Sequence, residues 1–476
     1  MSESVSIRID NCDIKVPKGI NLIEAAKQAG IEIPHYCYHP DLSIVGNCRM
    51  CQVEIKGSPK LAIACNTFVT EGMEVFTHLT SEKVRETQES NLEFILKNHP
   101  LDCTVCDQSG HCKLQDYYFE YSRRGSRLLE TKVKKKKAVR IGTHIMLDAE
   151  RCILCTRCVR FLDEITGTGE LGVVSRGDRS EIDLFPGKTV DNPLSATIID
   201  LCPVGALTYA DWRFNTRIWF TKSTESLCVG CSRNCNVIAH ERDGEIVTVK
   251  ARYNRKVNKE WLCDEGRFGF NRFKPQIPCS TDSNTHEALA AFASLVRHGE
   301  HLNIILSSFL TLEDILVFKS LSEAFPNVRL YGLVVRRQTS DLERILVMPD
   351  YSPNRVSFEK VGIPEWNGDA STNLCVVGLT SFENKFIQFD TIKFLFSGYG
   401  ELRNMAEVFI PCKYVYEKNG HFINCDGYLQ KFNALFASKN KAESELIIQV
   451  FPELDKIDPL AYLKENLSVP ENLDVR

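Results

Sequence analysis

The sequence predicts a multidomain protein of mixed α+β and α/β class. Two observations carry this. Fifteen of the twenty cysteines, with one histidine, fall into four spaced groups within the first 263 residues, so the front of the chain is built around metal-ligand loops. After residue 275 the cysteines thin out and strand and helix patterns alternate, as in a layer with a parallel sheet. At 476 residues the chain also exceeds one ordinary core, and three or more domains are expected.

Residues 4–9 alternate, with Val5, Ile7 and Ile9 on one face, and read as a strand. Asp10 and Asn11 make a turn, and residues 13–16 return. Asn21 caps a helix, with Glu24 as its capping-box partner and Gly30 as terminator, and Leu22, Ala25 and Ala26 face the core. Strands follow over 51–56, 61–65 and 74–77. Two strands, a helix, ligand loops and further strands predict a β-grasp ferredoxin domain. Residues 81–97 read as an amphipathic helix capped by Ser81 and stopped by Pro100, with Val84, Leu92, Ile95 and Leu96 packing into a core. Lys132 and residues 134–137 form a basic run that reads as a solvated linker, with a docking patch for an acidic partner as the alternative. Further on, 301–308, 311–325 and 327–335 read strand, helix, strand, and 372–379 and 391–400 read as buried strands. No G-x-G-x-x-G follows a strand there, so no nucleotide site is expected.

Hydrophobic residues are 43% and charged residues 25%, ordinary for a folded protein. A net charge of −4 argues against broad nucleic-acid binding, which needs a basic surface. The opening MSESVSIRID has neither the basic and apolar regions of a secretion signal nor the Arg-rich character of a transit peptide. No run approaches the roughly 20 apolar residues that span a bilayer, so a soluble chain reaching a membrane through partners is expected. Disulfide frameworks belong to small secreted domains, and metal ligation is the better reading of these cysteines.

The first group, Cys37, Cys48, Cys51 and Cys65, suits a [2Fe–2S] rhomb with two thiolates per iron, and Gly46 lets the backbone approach the sulfides. Its first gap departs from the plant-type spacing, and zinc is the alternative. His35 and His39 read as structural. The second group, His99, Cys103, Cys106 and Cys112, has three thiolates, so a histidine must complete a [4Fe–4S] cube unless a site stays open or empty. Pro100 can aim His99 back at the cube, whereas His111 stands awkwardly next to Cys112. A neutral imidazole should raise the reduction potential, and a zinc site with three thiolates and one imidazole is the alternative. The third group, Cys152, Cys155, Cys158 and Cys202, is a bacterial-ferredoxin run with a C-P partner. Leu162 stands where a second cube would need a cysteine, so one cube is expected. The fourth group, Cys228, Cys231, Cys235 and Cys263, is compatible with a [4Fe–4S] cluster or with zinc. Cys12, Cys279, Cys375, Cys412 and Cys425 read as buried small apolar residues. No catalytic constellation stands out.

CYHPDLSIVGNCRMCQVE, HPLDCTVCDQSGHCKLQD, RCILCTRCVRF and LCPVGALT resemble the large iron–sulfur subunits of respiratory complex I, across residues 1–275. WLCDEGRFGFNRF resembles the cluster domain of molybdopterin oxidoreductases, and EVFIPCKYVYEKNGHFINCDGYLQ a late segment of the same enzymes. The resemblance implies five domains. These are a β-grasp [2Fe–2S] domain at 1–80, a histidine-ligated [4Fe–4S] segment at 81–138 and a single-cube ferredoxin-like domain at 139–220. A molybdopterin-oxidoreductase-type [4Fe–4S] domain at 221–275 and a shortened α/β remnant at 276–476, without molybdenum, complete them. It further implies a subunit of a proton-translocating NADH:quinone oxidoreductase with no substrate chemistry of its own. Such a subunit relays single electrons from a partner that holds FMN and oxidises NADH to the next iron–sulfur subunit towards quinone. The family's place is the peripheral arm on the cytoplasmic side of the bacterial inner membrane, and its fourth cluster lies off the route. Two alternatives are the related segments of an NAD-linked hydrogenase or formate dehydrogenase. A third is a zinc-binding scaffold with no redox role.

Overall fold

The computed structural model describes residues 3–122, 125–277, 279, 284–299, 301–368, 373–389, 391–454 and 461–462. The chain divides into two compact units, residues 1–220 and 221–476.

In the first unit, Ser4–Ile9 and Cys12–Pro17 form a hairpin in which Val5 faces Val16 and Ile7 faces Ile14. Ser4–Ile9 also pairs in parallel with Glu74–Phe76, and Gln52–Ile55 and Ala62–Ile63 complete a five-stranded mixed sheet. The helix Leu22–Gln28 buries Leu22, Ile23, Ala25 and Ala26 in the core that also holds Ile7, Ile9 and Val53. Each large aliphatic side chain there contributes about 1.5–3 kcal/mol when fully withdrawn from water. Asn21 Oδ1 accepts the Glu24 N–H at 3.0 Å. The Glu24 carboxylate accepts from Lys27 and Tyr38, and Gly30 follows the helix end with φ +72°. The strand expected over 61–65 is shorter, because the chain turns into a 3₁₀ segment at Ala64–Asn66 that carries Cys65.

The helix Glu82–Asn98 starts at Ser81, whose hydroxyl accepts the Val84 N–H. It ends at His99, whose extended ψ of 127° is what a following proline demands. Val84 and Leu92 are fully buried, and Ile95 and Leu96 half-buried. The basic run is a linker with Lys134, Lys136 and Lys137 exposed, as expected, but it is pinned along its length. Lys132 Nζ donates to the last carbonyls of this helix, Leu96 and Lys97, at 2.8 Å each, where a cation complements the helix end. Lys136 pairs with Asp183 at 2.6 Å, and Lys137 with Asp102 and Glu150 at 3.0 and 3.1 Å. The run is therefore tied down by specific acceptors at both its ends. A three-stranded sheet of Leu207–Tyr209, Ile145–Leu147 and Val139–Arg140 then supports the helices Arg157–Glu164 and Thr197–Leu201.

The second unit opens with an antiparallel sheet of Lys222–Leu227, Asn236–Arg242 and Glu245–Ala251. A parallel sheet follows, ordered Val328–Leu333, Leu302–Ser307, Leu374–Val377, Ile392–Ser397, Ala406–Pro411. Its inner strands are buried at almost every position, as when helices cover both faces. Helices Thr285–His298, Leu312–Ala324, Arg355–Val361 and Glu443–Val450 share its core through Phe292, Phe318, Phe358 and Ile447. Among the described residues, no helix is long and apolar enough to cross a membrane.

Candidate metal centres

Cys37 ends the loop after the first helix, Cys48 and Cys51 flank a tight turn, and Cys65 sits on the 3₁₀ segment. Arg49 in that turn has φ +57° and Gly46 φ +62°, left-handed conformations that let the loop curl round the thiols. A Cβ on Gly46 would lie 3.0 Å from Ile63 Cδ1. The four thiols form two pairs. Cys37 Sγ lies 3.4 Å from Cys48 Sγ, and Cys51 hydrogen-bonds Cys65. The hydrogen bond from Cys48 pulls the Cys37 thiol down to about 5, and the Cys51 contact lowers that of Cys65. Two pairs of thiols match a rhomb with two thiolates per iron. The neighbours in sequence, Cys48 and Cys51, fall in different pairs. His35 is buried, its Nδ1 bonded to the Ile33 carbonyl at 2.7 Å, and burial lowers it to about 3. His39 Nδ1 accepts the Asp41 N–H at 3.1 Å.

His99, Cys103, Cys106 and Cys112 line one cavity of about 510 Å³, which also runs along Tyr118, Phe119 and Leu128. His111 is not part of that wall. The His99 ring bonds to the backbone of Arg151, and its Nδ1 is buried with no hydrogen-bond partner. Burial lowers His99 to about 4, so the ring is neutral and Nδ1 is a free donor for a metal. Burial pushes Cys112 up to about 11.

Cys152, Cys155, Cys158 and Cys202 line a single small apolar cavity with Ile153, Ile182, Val204 and Leu207. Leu154 and Thr156 take φ +55° and +60° between the ligand positions, and the Leu154 N–H points at Cys152 Sγ at 3.4 Å. Such strained residues cluster where a loop must turn its amides inward. Burial raises Cys152 to about 12. Leu162 is fully buried in the helix that carries Cys158.

Cys228, Cys231 and Cys235 lie on the loop between the first two strands of the second unit, closed by the Cys228 N–H on the Cys235 carbonyl at 2.8 Å. Cys263 begins the helix Asp264–Phe268, and its Sγ accepts the Gly266 N–H at 3.2 Å. A Cβ on Gly266 would lie 3.0 Å from Cys228 Sγ and 3.2 Å from Cys263 Sγ, so glycine lets the helix approach both. Asp350 holds the loop through the Ser232 N–H and hydroxyl, at 2.8 and 2.6 Å. Burial raises all four thiols.

These donor sets fit iron–sulfur clusters: paired thiols in the first, a buried imidazole nitrogen in the second, and glycine or left-handed turns where the backbone comes close. Burial raises every thiol of the third and fourth sets, so binding a metal charge there releases protons and is favoured by rising pH. Of the other five cysteines, Cys375 and Cys412 are buried, Cys279 and Cys425 half-buried, and Cys12 exposed. Cys12 departs from the buried place expected, because it starts the outer strand of the first sheet beside the turn at Asp10 and Asn11, where it is exposed.

The three sets of the first unit touch through their own residues. Arg160 bonds both the Cys37 and Cys155 carbonyls, and Asn47 Nδ2 donates to the Leu154 carbonyl at 2.8 Å. A Cβ on Gly205 would stand 2.1 Å from Cys106 Sγ, and Cys112 Sγ lies 4.0 Å from the Pro203 carbonyl. The segment 202–205 thus runs from a third-set cysteine to two of the second. Sequence reasoning does not single out Arg160, Asn47 or Gly205; only Gly205 is hinted at, by its place in the C-P-V-G segment that begins at Cys202.

Residues 2–79 match the 2Fe-2S iron-sulfur cluster binding domain, and 88–127 the NADH-ubiquinone oxidoreductase-G iron-sulfur binding region. Residues 142–208 match the ferredoxin-like domain of NADH-quinone oxidoreductase subunit 3, and 221–274 the molybdopterin oxidoreductase Fe4S4 domain. The chain is 37% identical over 341 residues to the NADH-ubiquinone oxidoreductase 75 kDa subunit of Reclinomonas americana, covering 69% of this chain and 49% of that protein. It is 37% identical over 328 residues to the G-type subunit of NADH-quinone oxidoreductase from Rickettsia felis, covering 67% and 48%. With the G-type subunit from Streptomyces coelicolor it shares 41% over 266 residues, covering 56% and 32%. The chain thus spans half or less of the length of these relatives. A solved structure of an NAD+-reducing [NiFe]-hydrogenase in the H2-reduced state aligns at 30% identity and TM-score 0.41, over 45% of this chain and 92% of that one. With four iron–sulfur domains matched in order along residues 2–274, the chain is a homologue of the G-type subunits of NADH-quinone oxidoreductase and the 75 kDa subunits of NADH-ubiquinone oxidoreductase.

Proposed function

We infer that this chain is an electron-relay subunit of an NADH:quinone oxidoreductase. Its ligands would be Cys37, Cys48, Cys51 and Cys65 for a [2Fe–2S] cluster, and His99, Cys103, Cys106 and Cys112 for a first [4Fe–4S] cluster. Cys152, Cys155, Cys158 and Cys202, then Cys228, Cys231, Cys235 and Cys263, would hold two more. Bound there, such clusters supply one-electron oxidation and reduction. The observation that carries the reading is the contact between successive donor sets of the first unit, through Arg160 and through the segment 202–205. The chain's own work is to hold each set in a dry apolar wall, aim backbone amides at the sulfurs and keep the His99 ring neutral.

The domain boundaries that follow are 1–80, 81–138, 139–220, 221–275 and 276–476, the last being an α/β domain of molybdopterin-oxidoreductase type without molybdenum. The partners would be the FMN- and NADH-binding subunit and the next iron–sulfur subunit towards quinone, in the cytoplasmic peripheral arm of a membrane complex. Metal analysis of the anaerobically purified protein tests the reading. One binuclear and three cubane clusters give about fourteen irons per chain, in a brown protein with EPR signals on reduction. A colourless protein holding zinc would remove it, and co-purifying hydrogenase or formate dehydrogenase activity would transfer the relay to another enzyme.

A further inference from the structure

Two buried guanidiniums, Arg157 and Arg160, stand between the first and third donor sets, only 6% and 8% exposed. Arg160 Nη2 donates to the Cys37 carbonyl at 2.6 Å and the Cys155 carbonyl at 3.1 Å, one donor residue of each set. Its Nη1 donates to the Ser43 carbonyl and its Nε to the Thr156 hydroxyl. Arg157 donates to the carbonyls of Tyr38 and Leu201, the neighbours of Cys37 and Cys202. Its Nε is buried without an acceptor. Neither arginine has a carboxylate in salt-bridge contact among the described residues. Glu164, on the same helix, accepts from the Ser43 N–H and hydroxyl, and its carboxylate acts on Arg160 through space, one negative charge against the two cations. The buried arginine beside the second set is different: Arg151 is paired with Asp102 at 2.9 Å and Asp148 at 3.5 Å.

Two neighbouring buried cations facing only carbonyl and hydroxyl oxygens are costly unless an anion stands close by. Such oxygens satisfy the N–H groups but bring no net charge. The groups on either side of the pair are the thiols of two donor sets, which carry negative charge once they bind iron and sulfide. We propose that Arg157 and Arg160 form a shared cationic layer between the [2Fe–2S] and third-set clusters, supplying their counter-charge and raising both midpoint potentials. An electron added on either side is stabilised by the fixed positive charge in a low-dielectric layer. The second set, beside a neutralised arginine, lies outside the effect. The proposal rests on the relay reading and adds which side chains set two of its potentials.

The test is a potentiometric EPR titration of the native complex carrying wild-type chain, Arg160→Gln, Arg160→Lys or Arg157→Gln. The wild-type spectrum alone decides whether the clusters exist, so failure of the relay reading is seen separately. The glutamine variants should make both clusters at least tenfold harder to reduce, a negative shift of about 59 mV for one electron. Arg160→Lys should keep the potentials, and the second cluster should not move in any variant. Loss of the first and third clusters in both glutamine variants, with both kept in Arg160→Lys, also supports the counter-charge. Full iron with unmoved potentials, a lysine variant shifted as far as glutamine, or loss of clusters in all three variants would overturn it in favour of a packing role.

Discussion

His99 shows how much one side chain can decide. Its ring shares a cavity wall with Cys103, Cys106 and Cys112, and its unbonded Nδ1 is buried. Burial holds it neutral far below its ordinary range, down to about 4. A neutral ligand in place of a thiolate leaves one negative charge fewer on the cluster, so electrons enter more easily. His99→Ala is expected to alter the EPR signal of the second cluster alone, and His99→Cys to make that cluster harder to reduce while the others keep their potentials. His111→Ala should leave the second signal in place. A second signal lost with His111 and kept without His99 would reassign the ligand. The spacing of the cysteines and Pro100 point to this residue. What spacing alone does not reveal is the Arg151 backbone that occupies one ring nitrogen, because that contact joins positions 99 and 151 through the fold.

At the scale of elements, local patterns read well and long-range ties do not. Val5, Ile7 and Ile9 announce their strand by alternation, Ser81 and Pro100 bracket their helix, and the apolar runs at 304–306 and 375–377 find places in a parallel sheet. The lysine run reads correctly as an exposed linker, but its anchors do not, because Asp102, Glu150 and Asp183 lie 13 to 47 residues away in sequence, counted from the paired lysines. Glu383 is a similar case in the second unit. Fully buried after the third strand of the parallel sheet, it accepts from Ser307 and from the Thr380 N–H and hydroxyl. Burial still outweighs those donors and raises its carboxyl to about 7 from an ordinary 4.5. Between these values the folded chain holds a proton that the unfolded chain has released, so stability falls as pH rises through that window. Above pH 7 the loss amounts to up to about 3 kcal/mol. Glu383→Gln, neutral at every pH, should flatten this dependence and raise the urea midpoint at pH 8, read on the full chain between pH 5.5 and 8. An unchanged slope in the variant would mean that another group carries the proton.

At the scale of the molecule, the order of the donor sets along the chain differs from their order in space. The third set touches the first through Arg160 and Asn47, and the second through Gly205 and Pro203. Tyr36 is buried in one cluster with Cys37 and Cys112, and its hydroxyl feels both Cys48 and Cys112. The third set is therefore the middle of the row although it comes last of the three in sequence. The fourth belongs to the other unit, held there by Asp350. Electrons entering at one end of the row should need the middle set and not the fourth. In the native complex, rapid-freeze EPR after adding NADH should show the second cluster reduced quickly in wild type and in a Cys231→Ser chain lacking the fourth cluster. In a Cys155→Ser chain lacking the third cluster, that signal should appear late or not at all. Fast reduction of the second cluster without the third would break the proposed order, since the first set would then deliver directly to the second.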